Sequence, residues 1–232
     1  FARIYWCCKK ITKRNLPGLG RALDLIKREH VLDVEGKKVF FDPRIGRAYG
    51  MMIIGRWNEP ETHIFLKNVL DRIDGSVNFV DVGGSIGEFV VDMASHEKAA
   101  KVIAFEPQPE AASAIGKSFA INGFQKGHII QKIVTDDLKD LYFLHDQRSP
   151  TASHVVSSIS DDLKGNQRLM KIPATTLDDE LSEIEGSTII LLDIEGGEYL
   201  AMKGALGFIR RWRPLLIFEY NSVSRKSFDL NM

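Results

Sequence analysis

The feature that most constrains the fold of this chain is a regular alternation, starting near residue 75, of short apolar runs with amphipathic segments. This pattern is typical of parallel α/β sheets, because each crossover between two parallel strands contains a helix. We predict strands at 77–82, 101–105, 128–134, 188–194 and 215–220. One predicted helix begins near Ile86, and three others span 107–121, 177–184 and 198–210.

Two parts of the chain depart from this alternation. Residues 139–174 contain short strand-like pieces at 141–144, 154–157 and 169–172, which predict an antiparallel insertion. Before residue 75, alternating runs at 30–34 and 37–41 flank Glu35-Gly36 and predict a hairpin, and Asn58-Glu59-Pro60-Glu61 predicts the start of a helix. The length of 232 residues fits one full domain with an appendage. We therefore expect residues 1–75 to form a hairpin-and-helix appendage that could cap a substrate, and residues 76–232 to form the main domain.

Charge and cysteine content exclude several classes of protein. The 31 basic and 31 acidic residues balance, which removes the overall electrostatic argument for a nucleic-acid binder, although residues 1–40 carry ten basic and four acidic residues. The two cysteines, Cys7 and Cys8, are adjacent, so they exclude a disulfide scaffold and a C-x-x-C metal site. No apolar stretch approaches the ~18–20 residues that a membrane span needs. We expect a cytoplasmic protein, with the basic N-terminus as the part suited to a membrane surface.

A glycine-rich turn joins the first predicted strand to its helix, in the sequence Asp81-Val82-Gly83-Gly84-Ser85-Ile86-Gly87. Gly83 and Gly84 lack the Cβ that would keep a ligand away from the backbone, and a helix start favours an anionic group. Glu106 ends the next predicted strand, where an acid can accept hydrogen bonds from both ribose hydroxyls of an adenosine cofactor. Together these features predict an adenosine-binding site, whereas the glycines alone are also compatible with a plain tight turn.

The same residues discriminate between adenosine cofactors. A G-x-G-x-x-G fingerprint ending at Gly87 needs glycine at position 82, where the chain has Val82, and this disfavours NAD. Asp81 suits a ligand that carries an ammonium group, as the methionine end of S-adenosylmethionine does. An enzyme that uses another adenosine cofactor of the NAD type remains the alternative.

A third motif, Asp193-Ile194-Glu195-Gly196-Gly197-Glu198, closes a later strand with three acids and two glycines. With it, the chain resembles the FkbM-type S-adenosylmethionine-dependent methyltransferases over roughly residues 55–220. The motifs that carry the resemblance occur in the family's order: 81–87, Phe105-Glu106-Pro107-Gln108-Pro109, Thr176-Leu177-Asp178-Asp179, 193–198 and Pro214-Leu215-Leu216-Ile217-Phe218-Glu219. The family usually has Asn where Ser85 stands.

The resemblance implies a Rossmann-like methyltransferase fold, with a mostly parallel central sheet and helices on both faces. It also implies S-adenosyl-L-methionine as the cofactor. Folds of this kind normally add two strands after the one that ends at Glu219, so we expect the domain to be truncated at its C-terminus.

Candidate site residues follow from the strand ends and from the resemblance. The expected cofactor contacts are Asp81, Gly83, Gly84, Ser85, Ile86, Gly87, Glu106, Pro107, Thr135, Asp136 and Asp193, with Thr135-Asp136 beside the adenine ring. Asp193 is the first candidate for a general base, and Glu195 and His154 are further catalytic candidates. Glu198 and Glu219 are also interpretable as structural acids. No adjacent Asn or His completes a metal-ligand set, so we predict no metal.

Arg56 and Trp57 precede the helix start and are candidates for lining the acceptor site, with packing of the aromatic ring in the core as the alternative.

These observations favour an S-adenosylmethionine-dependent methyltransferase, most consistent with O-methylation. By the resemblance, the acceptor is a small molecule or glycan, with its hydroxyl on a sugar, glycolipid or secondary metabolite. Nucleic acid is disfavoured as acceptor because the basic residues before position 40 lack interleaved aromatic residues. A non-catalytic binding module is a second alternative, although Asp81, Gly83, Glu106 and Asp193 are all present.

Overall fold

The structure is a computed structural model that describes residues 30–41, 51, 55–138, 141–146, 154–156, 167–194 and 196–220. The basic segment before residue 30, with Cys7 and Cys8, lies outside the described residues, and so does Glu195. For His154 only the backbone is described.

The described elements follow one another along the chain in an order close to the predicted one. They are β1 (His30–Val34), β2 (Lys37–Phe41), α1 (Pro60–Arg72), β3 (Val77–Val82), α2 (Glu88–Ala94), β4 (Ala99–Phe105), α3 (Pro109–Asn122), β5 (Gly127–Ile130), β6 (Ile133–Val134), β7 (Leu141–Asp146), β8 (His154–Val156), β9 (Gln167–Ile172), β10 (Ala174–Thr175), α4 (Leu177–Glu180), β11 (Thr188–Leu192), α5 (Glu198–Lys203), α6 (Leu206–Trp212) and β12 (Leu215–Phe218).

A five-stranded parallel sheet with the order β12-β11-β3-β4-β5 forms the centre of the fold. Successive residues of β3 point to opposite faces, and all six are buried. On one face Phe79 packs in a core with Val90 of α2 and Ile115 of α3. On the other face Val80 packs in a second core with Leu177 of α4 and Phe208 of α6. Helices therefore cover both faces, and the predicted α/β class is confirmed.

The N-terminal hairpin and α1 share a core with the sheet. Val39 and Phe41 of the hairpin and Leu66 and Leu70 of α1 belong to the cluster that contains Phe79. These buried contacts attach the predicted appendage to one face of the sheet, and the proposed boundary near residue 75 stays a prediction.

Side chains of α3 also bond the outer edge of the hairpin. The Asn122 side chain accepts from Lys38 N at 2.9 Å and donates to Lys38 O at 2.6 Å, as a neighbouring strand would. Ser118 Oγ accepts from Phe40 N at 2.8 Å. Backbone groups that would remain open at this edge of β2 are thus satisfied by a helix.

The prediction of one continuous strand at 128–134 is wrong, because the structure contains two strands there, β5 and β6. The carbonyl of Ile130 accepts from both Glu106 N and Lys132 N, which ends β5. The chain then leaves the central sheet, and β6 pairs in parallel with β10, with Ile133 opposite Ala174. The predicted antiparallel insertion is confirmed as the sheet β8-β7-β9.

The predicted helix at 198–210 is also two elements, α5 and α6, separated at Gly204 and Ala205. The Gly204 carbonyl accepts from Asp178 N at 2.9 Å, and the Asp178 carboxylate accepts from Gly207 N and Phe208 N at 2.9 and 2.6 Å. This aspartate therefore bonds the carbonyl at the end of α5 and caps the first turn of α6, and a continuous helix would lose both contacts.

We expect Asn122→Ala to lower the free energy of unfolding by about 0.5–1.5 kcal/mol, because it removes the hydrogen bonds to the exposed Lys38 backbone. Chemical denaturation measures this change. Asn68→Ala is the matched control, since Asn68 is exposed on α1. Equal losses in the two variants would show that the bond between the hairpin and α3 contributes nothing specific.

Candidate functional site

The register of the central sheet places the functional residues side by side. Leu192 of β11 lies opposite Val82 of β3, and Val82 lies opposite Phe105 of β4. The residues that follow these three positions are Asp193, Gly83 and Glu106. The carboxyl ends of parallel strands are where open α/β sheets bind ligands, so this edge is the candidate site.

Gly83 is held in a conformation and at a distance that exclude a side chain. Its φ of +97° lies in the left-handed region, and its N–H donates to Phe105 O at 2.9 Å. A Cβ added here would overlap the carbonyl oxygen of Asp193 and lie 2.8 Å from Ile194 Cγ2. The glycine therefore lets the end of β3 and the residue after β11 touch directly.

Glu106 ties the glycine turn to the end of β4. Its Oε2 accepts from Ser85 N at 2.7 Å, and its Oε1 accepts from Gln108 N at 2.8 Å. The side chain is buried, and burial raises the pKa of the Glu106 carboxyl to about 7 although both N–H donors oppose that rise. Each oxygen accepts one N–H bond and keeps a lone pair for a further donor.

Asp81 is a buried acid at this edge that lacks a full set of hydrogen bonds within the described part of the chain. It is 1% exposed, and its Oδ2 has no hydrogen-bond partner among the described residues. Burial, followed by the nearby charges of Asp193, Glu106 and Glu88, raises the pKa of its carboxyl well above the usual range. A buried carboxyl without a partner is costly, and a ligand that donates hydrogen bonds would reduce that cost.

The motif after β11 divides into a residue at the site and a structural acid. Asp193 is partly buried, and its N–H donates to Val82 O at 3.0 Å, which fixes its position beside the glycine turn. Glu198 is fully buried, and its Oε1 accepts from Ile194 N at 3.2 Å and Gly196 N at 3.1 Å. These bonds support the structural interpretation of Glu198.

Thr135 and Asp136 follow β6, which lies outside the central sheet. Thr135 is buried, and its N–H donates to Thr175 O at 2.9 Å. The Asp136 carboxylate forms an ion pair with Lys203 of α5, so an adenine amine would share this carboxylate with a lysine. The role of the pair at the adenine ring stays a prediction.

The remaining predicted positions occupy varied surroundings. Pro107 is half-buried between Glu106 and Gln108, Ile86 is buried in the core, and Gly87 starts α2 with a φ of +81°. His154 lies opposite Leu144 in the antiparallel sheet. Its catalytic role, like that of Glu195, stays a prediction.

Gln108, next to the site, has surroundings that the sequence did not indicate. Gln108 is buried, and its Nε2 has no hydrogen-bond partner among the described residues. Only its place in a motif pointed to it. Trp57 is 4% exposed and packs in the core, as the alternative interpretation held, whereas Arg56 is exposed.

Among the described residues, no group of three or more His, Cys, Asp and Glu side chains is arranged to hold a metal ion. Across the same part of the chain, no helix combines the length and apolar character needed to cross a bilayer.

We expect Gly83→Ala to destabilise the fold by about 1–3 kcal/mol more than Gly75→Ala, because a side chain at position 83 also overlaps Asp193. Gly75 is the matched control, since its φ of +80° imposes the same backbone strain and no atom lies within 4 Å of an added Cβ. Denaturant titration of both variants gives the comparison. Equal losses of stability in the two variants would mean that the overlap of a side chain at position 83 with Asp193 has no cost.

We expect Ser85→Asn to raise the free energy of unfolding by about 0.5–1 kcal/mol, because asparagine tolerates the left-handed region better than serine. Ser85 has a φ of +46° and is exposed, so the larger side chain has space. Thermal denaturation tests this, with Ser76→Asn as an exposed control that lacks a positive φ. A loss of stability in Ser85→Asn would contradict the explanation that asparagine tolerates the left-handed backbone at this position better than serine.

Residues 81–230 of the chain match the family model described as the Methyltransferase FkbM domain. None of the curated proteins matches the chain.

Among solved structures, FkbM methyltransferase from Methylobacillus flagellatus KT shares 20% identity over 62% of this chain and 32% of its own, with a TM-score of 0.44. The chain thus spans about a third of that protein's length. An rRNA methylase from Streptococcus thermophilus shares 13% identity over 75% of this chain and 78% of its own, with a TM-score of 0.41. TYW2 from M. jannaschii, solved in complex with AdoMet, shares 15% identity over 48% of this chain and 52% of its own, with a TM-score of 0.32.

The matched region of the family model covers well over half of the chain, and it contains the glycine turn, Glu106 and Asp193. The resemblance that the sequence motifs indicated is confirmed. The chain belongs to the FkbM methyltransferase family.

Proposed function

We propose that this chain binds S-adenosylmethionine at the ends of β3 and β4 and methylates a hydroxyl group. The acceptor class is a sugar, a glycolipid or another secondary metabolite, as the family resemblance implies. The observation that carries the proposal is the pair of hydrogen bonds by which Glu106 holds Ser85 N and Gln108 N. They place an acid with free acceptor capacity directly beside the glycine turn.

The donor and acceptor groups of this edge fit the parts of such a cofactor. Glu106 offers one lone pair on each oxygen, which suits the two neighbouring hydroxyls of a ribose. Asp81 Oδ2 is buried without a hydrogen-bond partner among the described residues, and it suits an ammonium group. Gly83 lets the end of β3 meet the backbone of Asp193, which brings these acids to one edge of the sheet.

S-adenosylmethionine supplies a methyl group already activated on a sulfonium, so the protein's main task is to align the acceptor, which contributes up to about 7–11 kcal/mol. Asp193 lies between the glycine turn and the end of β12, because Glu219 N donates to Leu192 O at 3.1 Å. Its carboxylate is the candidate that takes the proton from the acceptor hydroxyl. A positioned general base contributes on the order of 10²–10⁴-fold.

Isothermal titration with S-adenosylmethionine, its demethylated product and NAD tests the cofactor. We expect micromolar binding of the first two and none of NAD. Because the pKa of Glu106 is about 7, its carboxylate becomes protonated and loses acceptor capacity as the pH falls. The contribution of Glu106 to the affinity for S-adenosylmethionine should therefore fall about tenfold between pH 8 and pH 6.

Glu106→Gln should bind more weakly at pH 8 and show a smaller fall towards pH 6. Glu110→Gln is the matched control, because Glu110 is an exposed acid in the first turn of α3. Its affinity should stay within about twofold of wild type. Binding of NAD instead would contradict the choice of S-adenosylmethionine as the cofactor, and an unchanged pH profile in Glu106→Gln would contradict the ribose assignment.

A further inference from the structure

A buried histidine on α1 lies in a set of contacts that the proposed methyl transfer does not use. His63 is 1% exposed, and its ring stacks with two aromatic rings. The centroid of Trp57 lies 4.8 Å away at an interplanar angle of 15°, and that of Phe89 lies 4.6 Å away at 25°. Stacking with two aromatic rings restricts the ring plane, so its edges remain for polar contacts.

One edge of the ring is fixed by a carboxylate. His63 Nδ1 lies 2.7 Å from Asp92 Oδ2, and Asp92 is fully buried on α2. Lys37 of β2 and Lys67 of α1 also reach this carboxylate, at 3.1 and 2.8 Å. Although burial raises the pKa of Asp92, the bonds from His63 and Lys67 outweigh burial and keep it below its usual value. An ionised Asp92 requires the proton on Nδ1, which directs Nε2 away from it.

The opposite edge faces the helix that follows the glycine turn. His63 Nε2 lies 3.7 Å from Glu88 Oε2, and Glu88 is the first residue of α2, directly after Gly87. The Glu88 carboxylate also accepts from Asn58 N at 3.1 Å and Asn58 Nδ2 at 3.3 Å. The ring thus contacts Trp57 by stacking and Asn58 through Glu88.

Two buried atoms of this group, His63 Nε2 and Trp57 Nε1, have no hydrogen-bond partner among the described residues. Packing alone does not require polar atoms at these places, and a buried polar atom without a partner is costly. A buried charge attraction between His63 and Glu88 explains why a histidine, rather than an apolar ring, packs against Trp57 and Phe89.

We propose that His63 is a positioning residue of the S-adenosylmethionine site, and that its imidazolium holds the Trp57-Asn58 segment against Glu88 at the edge of the glycine turn. The segment then forms a fixed wall beside the pocket. This inference rests on the proposed cofactor site and adds a residue from outside the motifs that define it.

The charge of His63 depends on groups from every element packed against it. Burial lowers the pKa of His63, but the hydrogen bond to Asp92 and the nearby carboxylates of Asp92 and Glu88 on α2 outweigh burial and raise it above 6.5. Lys67 of α1 and Lys37 of β2 face it through Asp92, and Asp81 of β3 is coupled to it by charge. Because the raised pKa stabilises the protonated form, the contact of the His63 imidazolium with Glu88 is intact below pH 6.5. It weakens as the pH rises through the pKa of His63 in the folded protein. This direction is opposite to that of Glu106.

Titration of S-adenosylmethionine into wild type and His63→Gln, from pH 6 to pH 9, tests the proposal. We expect His63→Gln to bind S-adenosylmethionine about tenfold more weakly at pH 7. The variant should lose the part of the fall in affinity at alkaline pH that depends on His63, while the fall in affinity at acid pH caused by Glu106 remains. His96→Gln is the matched control, because His96 forms a similar pair with Asp71 at 3.2 Å beyond the far end of α2. Its affinity should stay within about twofold of wild type.

Glu88→Gln provides a second variant that keeps the aromatic stack, removes the charge partner of His63 and leaves one acceptor oxygen for Asn58. It should bind S-adenosylmethionine more weakly and lose the same part of the fall in affinity at alkaline pH as His63→Gln. Its melting temperature should show an intact fold. A folded Glu88→Gln with wild-type affinity and pH profile would overturn the positioning role. Failure of the wild type to bind S-adenosylmethionine would instead overturn the proposed function, so the two failures are distinguishable.

Discussion

The contact between Gly83 and the carbonyl of Asp193 is the constraint on which the site depends. Two strand ends approach each other so closely that position 83 has no room for a Cβ. The same approach is maintained by the parallel register, in which Asp193 N donates to Val82 O and Gly83 N donates to Phe105 O. Three strands are thereby joined at their carboxyl ends by backbone bonds. The acids at these ends are positioned by the sheet rather than by flexible loops.

Holding several acids together in a buried place has an electrostatic cost. The pKa of Glu106 is raised to about 7, so its ionised form is disfavoured in the folded protein. By linkage, the stability that this group contributes is present below its usual pKa near 4.5 and is lost as pH rises through about 7. Asp81 acts in the same direction, since burial and the charge of Asp193 raise its pKa. A ligand with hydrogen-bond donors and a positive charge would offset both penalties, which fits the proposed cofactor.

The sequence was sufficient to predict the parallel sheet and the residues at its edge. Apolar runs identify β3 and β11, and the glycines and acids directly after them mark the candidate site, because a parallel sheet brings carboxyl ends together. The sequence could not show that β5 ends at Ile130, since this depends on a carbonyl that bonds both Glu106 N and Lys132 N. Nor could it show the break at Gly204, which depends on Asp178 from another element. Both errors arose where a tertiary contact overrides local periodicity.

The hairpin and α1 are connected to the site through α2. Lys37 of the hairpin and Lys67 of α1 reach the same buried Asp92, and one turn earlier on that helix Glu88 bonds Asn58. Because α2 begins directly after Gly87, any displacement of the hairpin acts on the helix that terminates the glycine turn. An isolated nucleotide-binding sheet would not need these buried charges, and exposed ion pairs would attach a hairpin at lower cost. Their convergence on one helix suits an N-terminal region that helps to shape the pocket.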